Sequence, residues 1–112
     1  MLIYKIFRAD EWAALVRDGE TSGAPIDVAD GYVHFSTAQQ VQETAAKHFS
    51  GEQGLLLLAC DSAAMAKDIT WEPSRGGALF PHLYRKLRQS DVLWHRDLPW
   101  RDGGHVFPED LA

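Results

Sequence analysis

Two short stretches hold the residues whose types and spacing suit chemistry. The first is Gly31-Tyr32-Val33-His34-Phe35-Ser36-Thr37. An imidazole such as His34 donates or accepts a hydrogen bond near neutral pH. Ser36 and Thr37 fall where an extended run gives way to a helical one. Free N–H groups and the positive end of a helix dipole gather at such a junction, and both suit a phosphate. The second stretch is Phe80-Pro81-His82-Leu83-Tyr84. Pro81 fixes its own φ and biases Phe80 toward extended geometry. His82 and Tyr84 then share a face, with Leu83 opposite. His82 suits a general acid or base. Glu72 precedes a Gly-rich loop at residues 73–77, where a carboxylate can hold a ribose hydroxyl or stabilise a developing cation. Arg75, Arg85 and Lys86 lie near the second stretch and could hold phosphate.

Each of these residues also has a plainer reading. His34 is then a satisfied structural histidine, and Ser36 or Thr37 only a cap. His82 and Tyr84 belong to an amphipathic edge strand, and Glu72 is a solvated surface carboxylate. Asp27 and Asp30 read most simply as turn residues, because their side chains bond nearby backbone groups. His34, His82 and a carboxylate such as Asp27 or Glu72 could alternatively hold a metal ion, although no i,i+4 histidine pair supports it. The chain carries no GxGxxG, P-loop, HExxH, G-x-S-x-G or CxxC signature.

The elements that position these residues follow from periodicity. Leu2–Phe7 reads as a strand, apolar on both faces apart from Lys5. Asp10 can cap a helix from Glu11, with Trp12, Leu15 and Val16 on one face and Gly19 as its stop. Residues 21–30 read as a loop, since Gly23, Pro25, Asp27 and Asp30 interrupt any period. Residues 31–36 read as one strand, with Tyr32, His34 and Ser36 on one side and Val33 and Phe35 on the other. A helix follows, opened by Ser36 or Thr37 with Gln39 or Gln40 three residues on, and stopped by Gly51. Residues 55–60 read as a central buried strand, and 62–67 as a helical turn. Residues 69–72, 80–87 and 92–95 are further extended segments. From residue 99 the chain reads as a loop-like tail, with Trp100 and Phe107 as anchors. The class is α+β, with two early helices and short late strands.

With 112 residues, the chain fits a single domain spanning residues 1–112. Eleven Lys and Arg against 16 Asp and Glu leave a net charge of -5. That disfavours an extended nucleic acid as partner, because such binding relies on neutralising phosphates. It leaves a small nucleotide open. One cysteine, Cys60, permits neither an internal disulfide nor a cysteine zinc cluster. No apolar run approaches the ~20 residues that span a bilayer, and no signal peptide is visible. The expectation is a cytoplasmic protein without a membrane partner.

The order of Leu2-Ile-Tyr-Lys-Ile, Trp12, Asp30-Gly-Tyr-Val-His-Phe-Ser-Thr-Ala, Leu55-Leu-Leu-Leu, Trp71-Glu72 and Phe80-Pro-His-Leu-Tyr84 resembles a small bacterial family. It is the one known as domain of unknown function 952. The family usually has Gly where Arg85 stands. Its grouping with the ADP-ribosyltransferase-like proteins, which include RNA 2′-phosphotransferases, implies a split, curved, mixed β-structure with a cleft for NAD. The resemblance implies binding or processing of NAD or an ADP-ribosyl compound, by ADP-ribosyl transfer or glycohydrolysis. His34, His82 and Glu72 would be catalytic. Tyr4, Ser36, Thr37, Tyr84 and Arg85 would bind substrate, and NAD would be a substrate rather than a resident cofactor. A nucleotide-binding module without turnover and a protein–protein adaptor using Trp94 and Trp100 are the competing classes.

Overall fold

In chain order the elements of the computed structural model are β1 (Leu2–Phe7), α1 (Ala9–Asp18), β2 (Glu20–Thr21), α2 (Pro25–Asp30), β3 (Val33–His34), β4 (Ser36–Thr37), α3 (Ala38–His48), β5 (Leu55–Asp61), β6 (Ile69–Pro73), β7 (Leu79–Leu83), β8 (Leu87–Arg88), β9 (Val92–Leu98), β10 (Trp100–Arg101) and β11 (Gly104–His105). The structure describes residues 1–111, and the side chain of Arg75 lies outside the described part. The radius of gyration is 13.1 Å, about that of a compact chain of this length.

The fold is α+β, built on a four-stranded sheet in the order β4-β1-β5-β9. A separate three-stranded sheet runs β3-β7-β6, and β2-β8 and β10-β11 form small pairs. Every pairing among the described residues is antiparallel. The expected mixed β-structure is therefore corrected: paired strands run in opposite directions throughout.

β1 and β5 sit at the centre of the main sheet, and their alternation fills a core on each side. Ile3, Phe7, Leu58 and Cys60 face one way and meet Leu15 of α1 with Val33, Phe35 and Leu83. Tyr4, Ile6, Leu55, Leu57 and Ala59 face the other way and meet Val41 and Ala45 of α3. Lys5 belongs by alternation to the first side, where an ammonium needs a partner.

Among the described residues there are three α-helices rather than two early ones. Residues 25–30, expected as loop, form α2. Pro25 takes the first helical position, where its missing N–H costs nothing. The Asp27 carboxylate accepts the Ala24 N–H at 2.7 Å, and Gly31 closes the helix at φ 85°. The turn residues were thus helix-boundary residues. α1 begins two residues before the expected Glu11, with Arg8 as its cap. The Arg8 N–H donates to the Glu11 carboxylate at 2.8 Å. Val16 is exposed rather than on the packed face. Gly19 ends α1 at φ 77°, as expected.

The expected strand at residues 31–36 is broken in two. β3 pairs with β7 and β4 pairs with β1, so the chain changes sheets at Phe35. The tail is more ordered than expected: β10 and β11 make a hairpin, and Phe107 packs on the second core.

Candidate functional site

The three-stranded sheet decides which side chains meet. In its register His34 of β3 lies directly opposite His82 of β7, and His82 lies opposite Thr70 of β6. A period of two then places Phe80, His82 and Tyr84 on one face, and Leu79, Pro81 and Leu83 on the other. Glu72, two residues from Thr70, joins the first face diagonally across from His82. The second face carries Leu83 into the core beside Val33. Core packing therefore fixes the histidine face by fixing its reverse.

The histidine rings are 5.3 Å apart between centroids. Tyr32 lies across both: its ring is 4.2 Å from His82 in a stacked arrangement, 4.6 Å from His34 and 5.1 Å from Tyr84. Each imidazole has a carboxylate at Nδ1. His34 meets Asp27 at 2.6 Å and His82 meets Glu72 at 2.7 Å. His34 Nε2 lies 3.0 Å from Asp30, while the Tyr84 hydroxyl donates to Glu72 at 2.6 Å.

The Asp27 side chain is fully buried, and its oxygens accept from more than His34 Nδ1. Lys5 Nζ lies 2.7 Å away and the His34 backbone N–H 3.0 Å. Burial alone pushes the Asp27 carboxyl up. The His34 hydrogen bond and the Lys5 charge outweigh it, so the group ends below its ordinary range. Burial lowers the Lys5 ammonium, with Asp27 opposing that shift. Hydrogen bonds from Tyr84 and then His82 hold Glu72 below the usual carboxylate range. The same bond to Glu72 pushes the Tyr84 phenol up to about 12. Burial, followed by the charges of Asp30, Glu72 and Asp27, raises Tyr32.

Of the residues predicted from sequence, the structure brings together His34, His82, Glu72 and Tyr84. It does not bring the other four to this face. Tyr4 is 1% exposed in the second core, with Trp94 at 5.9 Å, because it alternates with Lys5 on β1. The Ser36 hydroxyl is buried against that of Thr44 at 2.9 Å. The Thr37 N–H is taken by the Gln40 side chain at 3.0 Å. The Ser36 hydroxyl and the Thr37 N–H are thus engaged within the fold, since residues 36–37 joined the main sheet. Arg85 spans Asp68 at 2.9 Å and Asp91 at 2.8 Å, which explains a cation where a turn glycine was expected. Of the other two cations considered for phosphate, Lys86 lies 3.5 Å from Glu20, and Arg75 has its side chain outside the described part.

Sequence reasoning missed Lys5; it named Asp27 only as a turn residue or a metal ligand, and placed Tyr32 on the His34 side without giving it a role. Tyr32 was signalled by its i,i+2 relation to His34. Asp27 and Lys5 carried one joint signal, a lysine within an apolar strand and an acid within reach of it. Among the described residues, no group of three or more His, Cys, Asp or Glu is arranged to hold a metal ion. Among them, too, no helix is long and apolar enough to cross a membrane. A cleft of about 460 Å³ lies elsewhere, between α3 and the tail, lined by Gln39, Gln42, His105 and Phe107. Its His105 Nε2 is bound to the Glu52 carbonyl at 2.9 Å.

Residues 6–95 match the sequence profile described as "Protein of unknown function (DUF952)". The chain belongs to this family. The fold is also that of protein CC0527 from Caulobacter crescentus. The X-ray structure of CC0527 shares 47% sequence identity with the chain at a TM-score of 0.90, covering 94% of this chain and 92% of that one. A solution NMR structure of CC0527 gives a TM-score of 0.83 at 47% identity, with coverages of 93% and 90%. No match was found among curated proteins. All the site residues of this DUF952 chain except Lys5 fall inside the matched segment.

Proposed function

We propose that the histidine face binds and processes the ribosyl end of NAD or a related ADP-ribosyl compound. One observation carries the reading: two imidazoles stand 5.3 Å apart across a strand pair, each with Nδ1 on a carboxylate. A carboxylate at Nδ1 orients each ring; Nε2 of His34 is open to a ligand that displaces Asp30, while His82 is 4% exposed beneath the stacked ring of Tyr32. In this reading His34 holds a ribose hydroxyl, and His82 is the general acid or base. Glu72 stays ionised and stabilises positive charge that develops on the ribose as the N-glycosidic bond breaks. Tyr32 and Tyr84 offer ring faces to the departing base. The choice of ligand follows the expectation, drawn from the sequence resemblance alone, that the family groups with ADP-ribosyltransferase-like proteins. Ser36, Thr37 and Arg85 are bonded within the fold, so in this reading recognition centres on the nucleoside end.

The test is incubation of the full chain with NAD, with free nicotinamide followed by chromatography. The wild type should release nicotinamide, and Glu72→Gln should lower kcat by about two orders of magnitude or more. Binding of NAD without release, in wild type and variant alike, favours the module without turnover. Failure of NAD, ADP-ribose and nicotinamide to bind overturns the proposal.

A further inference from the structure

We propose that Lys5 is a positioning residue of this site, which sets the tautomer of His34 through Asp27. The inference rests on the reading of His34 as a ligand-facing residue and deepens it. The argument is a count of donors. An ionised carboxylate only accepts, and it offers about four lone-pair positions. At Asp27 four groups converge: Lys5 Nζ at 2.7 Å, the Ala24 N–H at 2.7 Å, the His34 N–H at 3.0 Å and His34 Nδ1 at 2.6 Å. Three of these are donors whatever the imidazole does. A saturated carboxylate can then meet Nδ1 only if Nδ1 carries a proton. Nε2 is then an acceptor in the neutral ring, so the exposed Asp30 carboxylate, 3.0 Å away and itself only an acceptor, must swing off it. A ligand hydroxyl can take the place of Asp30 there.

Lys5 enters this arrangement through its charge. Its side chain is 7% exposed, and that of Asp27 is 0% exposed. Without the ammonium, a buried carboxyl tends to take up a proton. A protonated Asp27 can donate to Nδ1, and His34 would then hold its own proton on Nε2. The ring would present a donor where it now has the option of accepting. The other titratable groups around the pair are Arg8 and Glu11 near Lys5, and Asp30, Tyr32 and His82 near His34. Among the described residues, none of these bonds to His34 Nδ1 or to Lys5 Nζ.

The experiment is long-range proton–nitrogen correlation of the His34 ring in the full chain, at a pH where its neutral form dominates. Wild type should show the tautomer protonated at Nδ1. Lys5→Met should lose that pattern and shift toward the form protonated at Nε2, while the His82 pattern stays unchanged. A folded Lys5→Met protein that keeps the wild-type His34 pattern overturns the proposal, because a purely structural lysine leaves the tautomer alone. Should the variant not fold, the wild type still decides. Its Lys5 Nζ protons must be protected from exchange and correlate with the Asp27 carboxyl, and freely exchanging Nζ protons overturn the proposal. No ligand or activity enters these readouts, so their failure is distinct from failure of the NAD reading.

Discussion

At the scale of single residues, the site rests on charges that have been taken out of water and matched. Lys5 is the one charged residue of β1, and its partner Asp27 is fully buried. Breaking such a pair costs about 3–5 kcal/mol, because it strands the remaining charge. Asp27→Asn should therefore lower unfolding free energy by about 3–5 kcal/mol in denaturant titrations. The double variant Lys5→Met with Asp27→Asn should recover part of the loss. A change below about 0.5 kcal/mol, the size of an ordinary surface effect, would contradict the account. At the exposed rim the signature is a pH dependence. Tyr84 is pushed up to about 12 by its bond to Glu72, against an ordinary phenol near ~10. A folded-state value above the unfolded one means stabilisation present in full below pH ~10 and lost as the pH rises through about 12. Ultraviolet titration should find one phenol ionising near 12 in wild type and near ~10 in Glu72→Gln. Identical titration curves would remove the Tyr84–Glu72 bond from the site.

At the scale of elements, position depends on where the chain changes sheets and how helices begin. The split at Phe35 keeps Tyr32 and His34 with β7 and sends Ser36 and Thr37 to β1. Alternation within a continuous strand was legible in the sequence, but a change of partner in mid-run was not. Nothing in the residue types at 31–37 marks it, and the tertiary pairing decides it. α2 was legible in principle, because Pro25 is a first-turn residue and Asp27 stands three after Ala24. Proline and aspartate also favour turns, and without the partner Lys5 the two readings stay balanced. Gly23 supplies the test at this scale. Its φ is +101°, and a Cβ there would collide with the Asp27 side chain. Gly23→Ala should destabilise the protein and displace Asp27, so that the amide resonance of His34 shifts more than those of α3. A stable variant with an unmoved His34 amide would detach this loop from the site.

For the whole molecule, one central sheet serves two cores, and the histidine face grows from the rear of one of them. Leu83 and Val33 anchor the small sheet in the first core, and His82 and His34 are their outward neighbours. This explains why four of the eight predicted site residues converged although they come from segments far apart in sequence. The period of two around His34 and His82 was enough to place them on the shared face of β3 and β7. The other four lie away from this face: Tyr4 and Ser36 are drawn inward, the Thr37 N–H is bonded by Gln40, and Arg85 spans two aspartates. Cys60 lies in the same first core, with burial pushing its thiol up to about 12, which fits the inert thiol expected of a central strand.

The most direct test of the central claim, that this face is one ligand site, is an NMR titration of the isotope-labelled full chain with NAD. The account predicts saturable shifts at Tyr32, His34, Glu72, His82 and Tyr84, with α3 and the β10–β11 hairpin unmoved. Shifts gathered instead at Gln39, Gln42, His105 and Phe107 would place the ligand in the cleft under the tail and contradict the account.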